Sequence, residues 1–296
     1  MAEAAVPGTP SPGPRDDAIG RMLASRRVVL GGGVLALFVL AAVFAPLLAP
    51  HDPVEQDLML QYLPPVWDER AEPGYLFGTD NLGRDILSRL LHGARVALFV
   101  AVTAAAAAGL LGTALGLLAG YLGGWVDTLV SRLVDIWMAF PAVLLSIVLV
   151  AVMGTGLHSV IIAIAVIDWT RFCRVVRAET MVQTRQDYVA SAVTIGLGRL
   201  RILRHEILPN VAPLLVVLFT LEMGIAVIVE AILSYVNLSL ASDFPTWGGM
   251  IADGRTYVNQ APWLMILPIL CVIAMVLALN ALGDGLKDAL DPVMRK

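Results

Sequence analysis

Six stretches of this chain are long and apolar, covering residues 28–49, 95–122, 126–153, 157–173, 211–235 and 263–282. A helix rises 1.5 Å per residue, so a hydrocarbon layer of about 30 Å needs roughly 20 apolar residues. Backbone amides in lipid must be satisfied within their own segment, so each run is predicted as a transmembrane helix. The runs do not alternate polar and apolar positions, which argues against a β-barrel. The fourth run is the weakest, because Asp168 and Arg171 interrupt it. The first run, about 22 residues, is too long for a signal-peptide core and is predicted as a retained anchor.

The intervening segments differ in character. Residues 1–14 hold Pro7, Pro10, Pro12 and Pro14 among small residues, a composition that predicts disorder. Residues 16–27 can form an interfacial helix with Ile19, Met22 and Leu23 on one side. The segment 50–94 begins Pro-rich and ends amphipathic. There Ile86, Leu87, Leu90 and Leu91 share a face opposite Arg84, Asp85, Ser88 and Arg89. Trp247, in the segment 236–262, reads as an interfacial anchor. Gly112, Gly116 and Gly120 recur every fourth residue in the second run, a spacing that lets two helix backbones approach closely.

Composition agrees with a membrane protein. Of 296 residues, 58% are hydrophobic and 15% charged, whereas soluble domains carry about 25% charge. The net charge of −4 is small, so the placement of the charges matters more. With the N-terminus inside, 15 of the 20 Lys and Arg residues fall in inner segments. That bias predicts both termini in the cytoplasm.

Candidate chemistry is sparse. No Gly-x-x-x-x-Gly-Lys-Ser/Thr phosphate loop occurs in the sequence. His51, His92, His158 and His205 lack ligand spacing, and no nucleophile–base set is visible. Cys173 and Cys271 read as buried thiols. Three carboxylates fall within predicted spans. Asp168 is placed to pair with Arg171 three residues on, and Glu230 to sit near the outer interface. Glu222 either lines a substrate path or makes an inter-helix hydrogen bond.

The arginine-rich inner segment 174–210 carries the most information. Asp187 is a plausible N-cap for a helix ending near Ile195, with Gly196 permitting the turn. A second helix is predicted from Arg199 to Leu208, stopping at Pro209. Such a helix–turn–helix can act as a lever between a soluble partner and the spans.

This pattern resembles the EAA loop of ABC-importer permeases, in which Glu-Ala-Ala is followed by a glycine and later by a Leu-Pro pair. Further motifs carry the resemblance: the run from Phe77 to Asp85, Gly120 to Gly124, Val134-Asp135 and Pro141. Pro245 to Gly248 and Gly283 to Pro292 complete it. Together these resemble the C-type permeases of the dipeptide/oligopeptide/nickel family over about residues 20–292, with dipeptide permeases closest. The resemblance implies an all-α membrane protein with six transmembrane helices, the type I ABC importer permease fold and cytoplasmic coupling helices.

It also implies a domain layout. Residues 1–27 form a cytoplasmic tail and interfacial helix, and 28–94 the first span with an extracytoplasmic loop. Residues 95–283 form the five-span core, and 284–296 a cytoplasmic tail. The chain itself is expected not to be an enzyme and to bind no cofactor. ATP and Mg belong to two separate ATP-binding subunits. A second homologous B-type permease and an extracytoplasmic substrate-binding protein complete the expected assembly.

Coupling to the ATPase is expected from Tyr188, Ala190, Ala192, Gly196, Arg199, Arg204, His205, Leu208 and Pro209. Translocation-path candidates are Glu222 and Glu230. Expected cargo is peptide, dipeptides first; oligopeptides, nickel chelates and haem are alternatives. An ion-coupled secondary transporter would need an inverted repeat, and the two halves here do not look alike.

Two departures from the family pattern stand out. Ala190 and Ser191 replace the family's Glu-Ala. A glutamate there would sit three residues after Asp187, so Ala190 is predicted to weaken the helix start by about 0.5–1 kcal/mol. Tyr235-Val236-Asn237 replaces an aromatic followed by Leu-Gly, which leaves the outer end of the fifth span undetermined.

Overall fold

A computed structural model describes Gly20, residues 25–239 and residues 244–290. The expected disordered segment 1–14 and most of the expected interfacial helix 16–27 lie outside these residues. Helix α1 covers Arg26–Val43 and α2 Ala45–Leu48. A long irregular segment with one 3-10 turn, Leu58–Leu60, leads to α3, Ile86–Leu122. Then come α4 Gly124–Met138, α5 Ala142–Met153, α6 Leu157–Gln183 and α7 Asp187–Thr194. A continuous helical path follows: α8 Arg199–Ile202, a π-helical turn Leu203–Ile207, and α9 Leu208–Tyr235. Helix α10 is Trp247–Thr256 and α11 is Trp263–Leu290. Among the described residues the only β feature is a bridge between Thr79 and Asp85.

Among the described residues, four helical stretches are long and apolar enough to cross a membrane: Arg26–Val43, Ile86–Leu122, Arg199–Tyr235 and Trp263–Ala289. The pair α4 and α5 adds a fifth if counted together, but its axes differ by 88°. The sequence predicted one straight span over 126–153. Pro141 breaks it, because a proline has no N–H to give the helix ladder and pushes the preceding Phe140 away from helical geometry. Helix α6 is long enough, at 27 residues, but Asp168, Arg171, Arg174, Arg177 and Glu179 lower its apolar character.

Two helix starts and ends also differ from expectation. Helix α3 begins at Ile86, not Arg95, and the polar face formed by Arg84, Asp85, Ser88 and Arg89 is buried. Asp85 caps this helix by accepting from the Ser88 amide at 2.8 Å and its hydroxyl at 2.6 Å. Arg89 donates to the Pro53 carbonyl at 3.2 Å and lies 3.6 Å from Asp80. The segment before α3 thus folds down onto the helix and supplies the partners its polar side requires. Asp80 accepts from the Leu82 and Arg84 amides and from Arg84 Nε at 2.6 Å, which fixes the Phe77–Asp85 run as a folded loop. Helix α6 continues ten residues past Cys173 because its arginines find partners on neighbouring helices, described below.

The glycine stripe of α3 meets α6. A Cβ at Gly116 would stand 2.7 Å from the Cys173 carbonyl oxygen, and one at Gly120 2.7 Å from that of Arg177. Gly112 lies just as tightly against Trp169. The contacts advance four residues on both helices together, so α3 and α6 run parallel in register. At the far side Gly31 of α1 approaches the Ala278 carbonyl of α11, where a Cβ would stand at 2.8 Å. Trp247 is not an interfacial anchor. It is fully buried, and its indole N–H donates to the Leu90 carbonyl at 3.0 Å. Cys173 is buried and Cys271 half-buried, and both are free thiols.

Candidate functional site

Two regions draw the candidate residues together, one at one end of the bundle and one within it. At that end α7 closes in a Schellman motif. Gly196 has φ +81°, its amide donates to Val193, and the Leu197 amide donates to Ala192. Buried Val189 and Ala192 pack with Val176 of α6 and with Ile202, Leu203, Ile207 and Val211. Tyr188, Leu197, Leu117 and Tyr121 pack around this small core. The Tyr188 hydroxyl donates to Gln183 at 2.8 Å, and partial burial raises its pKa above the ordinary phenol value. The short helix is therefore bolted to the ends of α3, α6 and α9.

Its other side faces away from the bundle. Ala190, Gly196, Arg199, Arg204, His205 and Pro209 are exposed, and Leu208 is half-buried. Two large apolar side chains missed by the sequence reading, Ile195 and Leu200, are 75% and 78% exposed. Apolar periodicity had no way to mark them, since in isolation they read as core.

Two local expectations are corrected. Asp187 is not the N-cap. Gln186 holds that position without a side-chain bond, and Asp187 is the first helical residue. Ala190 then donates back to the Gln186 carbonyl at 3.2 Å, so a glutamate there could not complete a capping box. Asp187 still favours the helix start through its charge. The second helix does not stop at Pro209 either. It runs through a π-helical turn into α9, with Pro209 in the first turn of that helix, where its missing N–H does little harm. Asn210 donates to the Glu206 carbonyl at 2.6 Å beside it.

Within the bundle the charges pair between helices. Arg171 of α6 donates to Glu222 of α9 at 3.2 Å rather than meeting Asp168. Arg177 of α6 grips Asp127 of α4 through two contacts, one of them at 2.7 Å. Arg174 points toward the Met138 sulfur at 3.7 Å. Glu230 is 1% exposed and accepts from Ser234 at 2.6 Å and Ser239 at 3.4 Å. It is a buried brace near the C-terminal end of α9, not an interfacial group. Just beyond it Asn237 takes φ +59°, its amide donates to Ser234, and the Leu238 amide donates to Leu233. Asparagine is among the few residues besides glycine that take this left-handed position readily.

A cavity of about 160 Å³ opens between the N-terminus of α5, the middle of α6 and α9. Asp168 and Arg171 supply its charge; Ile164, Ile225 and Ile232 are among its apolar walls. Glu222 stands behind Arg171 rather than in the wall.

A helical bundle of this kind, with long apolar helices and sparse charge inside, is that of an integral membrane protein. Residues 112–296 match the family described as binding-protein-dependent transport system inner membrane component. Residues 13–65 match the N-terminal transmembrane domain of oligopeptide transport permease C. A di/tripeptide transport system permease of Pseudomonas aeruginosa is 39% identical over 266 residues, 89% of this chain and 88% of the relative. A dipeptide transport system permease of Haemophilus influenzae is 38% identical over 272 residues, 92% of each. The fold is similar to a chain of the inward-facing MetNI methionine ABC transporter. That likeness has a TM-score of 0.56 and 18% identity, and covers 69% of this chain and 97% of the other. The chain belongs to the inner-membrane permeases of binding-protein-dependent ABC importers, in the dipeptide/oligopeptide C-type branch.

Proposed function

We propose that this chain forms half of the translocation path of an ATP-driven peptide importer, with dipeptides as the principal cargo. The observation that carries this reading is the 39% identity to a di/tripeptide permease across 89% of the chain. The other half of the path is a homologous B-type permease. Two ATP-binding subunits hold ATP and Mg and perform the hydrolysis, and an extracytoplasmic binding protein delivers the peptide. This chain binds no cofactor of its own. Six crossings are formed when α4 with α5 counts as one and α6 as another, which puts both termini in the cytoplasm.

The exposed side of α7 and the residues after it dock into the ATPase. Ala190, Ile195 and Leu200 give an apolar contact, rimmed by Arg199, Arg204 and His205. Tyr188, Ala192, Gly196, Leu208 and Pro209 hold that surface in shape. Each nucleotide state must favour one of two bundle arrangements, and α7 is the element through which the preference is passed. The outer segments 50–85 and 236–262 receive the binding protein. Glu222 acts on the path through Arg171, and Glu230 by bracing the outer end of α9.

The test is reconstitution of the full assembly in proteoliposomes with ATP inside the vesicle's cytoplasmic face and radiolabelled dialanine on the other. ATP-dependent accumulation is expected. Accumulation that persists without any ATPase subunit would point to an ion-coupled carrier instead.

A further inference from the structure

Where α6 faces α9, one carboxylate has no cationic partner of its own. Arg171, Glu222 and Asp168 form a group of one guanidinium and two carboxylates on facing turns of α6 and α9. Arg171 is committed to Glu222 at 3.2 Å. Asp168 is 4% exposed, lines the 160 Å³ cavity, and makes no ion pair or side-chain hydrogen bond among the described residues. It lies eleven residues into α6 from Leu157, about 16 Å along a helix that rises 1.5 Å per residue. That is near the middle of a bilayer core of about 30 Å. An ionisable group held there is costly and calls for a partner.

The surroundings favour a visiting partner over a resident one. The cavity is about ten times the smallest volume that holds a water. One wall is the start of α5, immediately after the break at Pro141, so the wall is made by a helix end and not by a continuous rod. The remaining lining is aliphatic: Ala142, Val143, Ile167, Ile228 and Val229. Nothing there competes for a hydrogen bond from a cation. Glu222 and Glu230 are both engaged, so the carboxylate free to meet cargo is Asp168.

We propose that Asp168 is the counter-ion in the translocation path for the ammonium group of the passing peptide, with the Arg171–Glu222 pair holding the site's geometry. The proposal rests on the peptide-import reading above and names the group of the cargo that this site recognises. The ammonium neutralises the surplus charge while it passes and leaves when the bundle changes state, so the contact is transient by design. A small pocket with one free carboxylate, the Arg171 side chain already committed to Glu222, and aliphatic walls accepts the common amino end and tolerates varied side chains.

The experiment uses the full assembly in proteoliposomes and compares wild type with Asp168→Asn and Asp168→Glu, reading dialanine uptake and ATP hydrolysis together. Asparagine keeps the shape and removes the charge. Loss of one charge-assisted contact is expected to lower uptake per ATP hydrolysed about tenfold. The ATPase response to loaded binding protein should stay within about twofold of wild type. Glutamate restores the charge and should recover part of the uptake. Undiminished uptake in Asp168→Asn overturns the proposal. So does a parallel fall of uptake and ATPase in an intact assembly, which would make Asp168 a gating or packing group. A wild-type assembly that hydrolyses ATP but never accumulates dialanine removes the peptide-import reading and this proposal with it.

Discussion

Gly116 of α3 passes Cys173 of α6 so closely that a Cβ at Gly116 would stand 2.7 Å from the Cys173 carbonyl oxygen. The same helix pair repeats the approach one turn either side. Backbone offers no side chain that can step aside. Gly116→Ala should therefore force the helices apart and cost about 1–3 kcal/mol. Thermal unfolding of the detergent-purified assembly measures it, and an unchanged midpoint would contradict the packing.

Arg177 and Asp127 tie α6 to α4 on the N-terminal side of the break at Pro141. Each side chain is only partly exposed, at 30% and 21%. Asp127→Asn leaves a half-buried guanidinium without its charge partner, and a loss of about 1–3 kcal/mol is expected. The reversal Asp127→Arg with Arg177→Asp should recover more than half of it. A double variant no better than the single ones would count against the pair.

Asn237 ends α9 in the left-handed region. Asn237→Gly should be neutral or slightly stabilising, while Asn237→Val should cost about 1–2 kcal/mol, the steric penalty of a branched side chain there. Melting midpoints of the two variants give the answer. Equal behaviour of glycine and valine would show that the outer end is not held in this conformation.

The exposed face of α7 separates coupling from folding. Ile195→Asp with Leu200→Asp changes two solvent-facing positions, so stability should move by no more than about 0.5 kcal/mol per site. Stimulation of ATPase by loaded binding protein should nevertheless collapse. Ala190→Glu, by contrast, lies beyond reach of any capping box. It should leave the helix unchanged within about 0.5 kcal/mol, so any effect on coupling reports direct contact with the ATPase subunit. Normal stimulation in the double aspartate variant would move the docking surface elsewhere.

What the sequence disclosed followed from how local the governing physics is. The glycine stripe of α3 was legible because four-residue spacing marks a face without reference to a partner; that the partner was α6 was not. The turn at Gly196 was legible for the same reason. The end of α6 was misjudged because Arg174 and Arg177 read as loop charges until Met138 and Asp127 stand opposite them. Asp168 and Arg171 looked paired on a shared helix face, but a long guanidinium reaches sideways to Glu222 as easily as along its own helix. Trp247 looked interfacial because its burial depends on the Leu90 carbonyl, over 150 residues away in the chain. Ile195 and Leu200 were passed over because exposure is a property of the fold and not of the residue.

The unbroken run from Arg199 to Tyr235 has a geometric consequence. Its 37 residues make a rod of about 55 Å at 1.5 Å per residue. Pivoted at its centre, a rod of that length swings its two ends in opposite directions, each by about 5 Å for a tilt of about 10°. Widening at one membrane face and narrowing at the other then become a single rotation, and the axle lies close to the buried Val217.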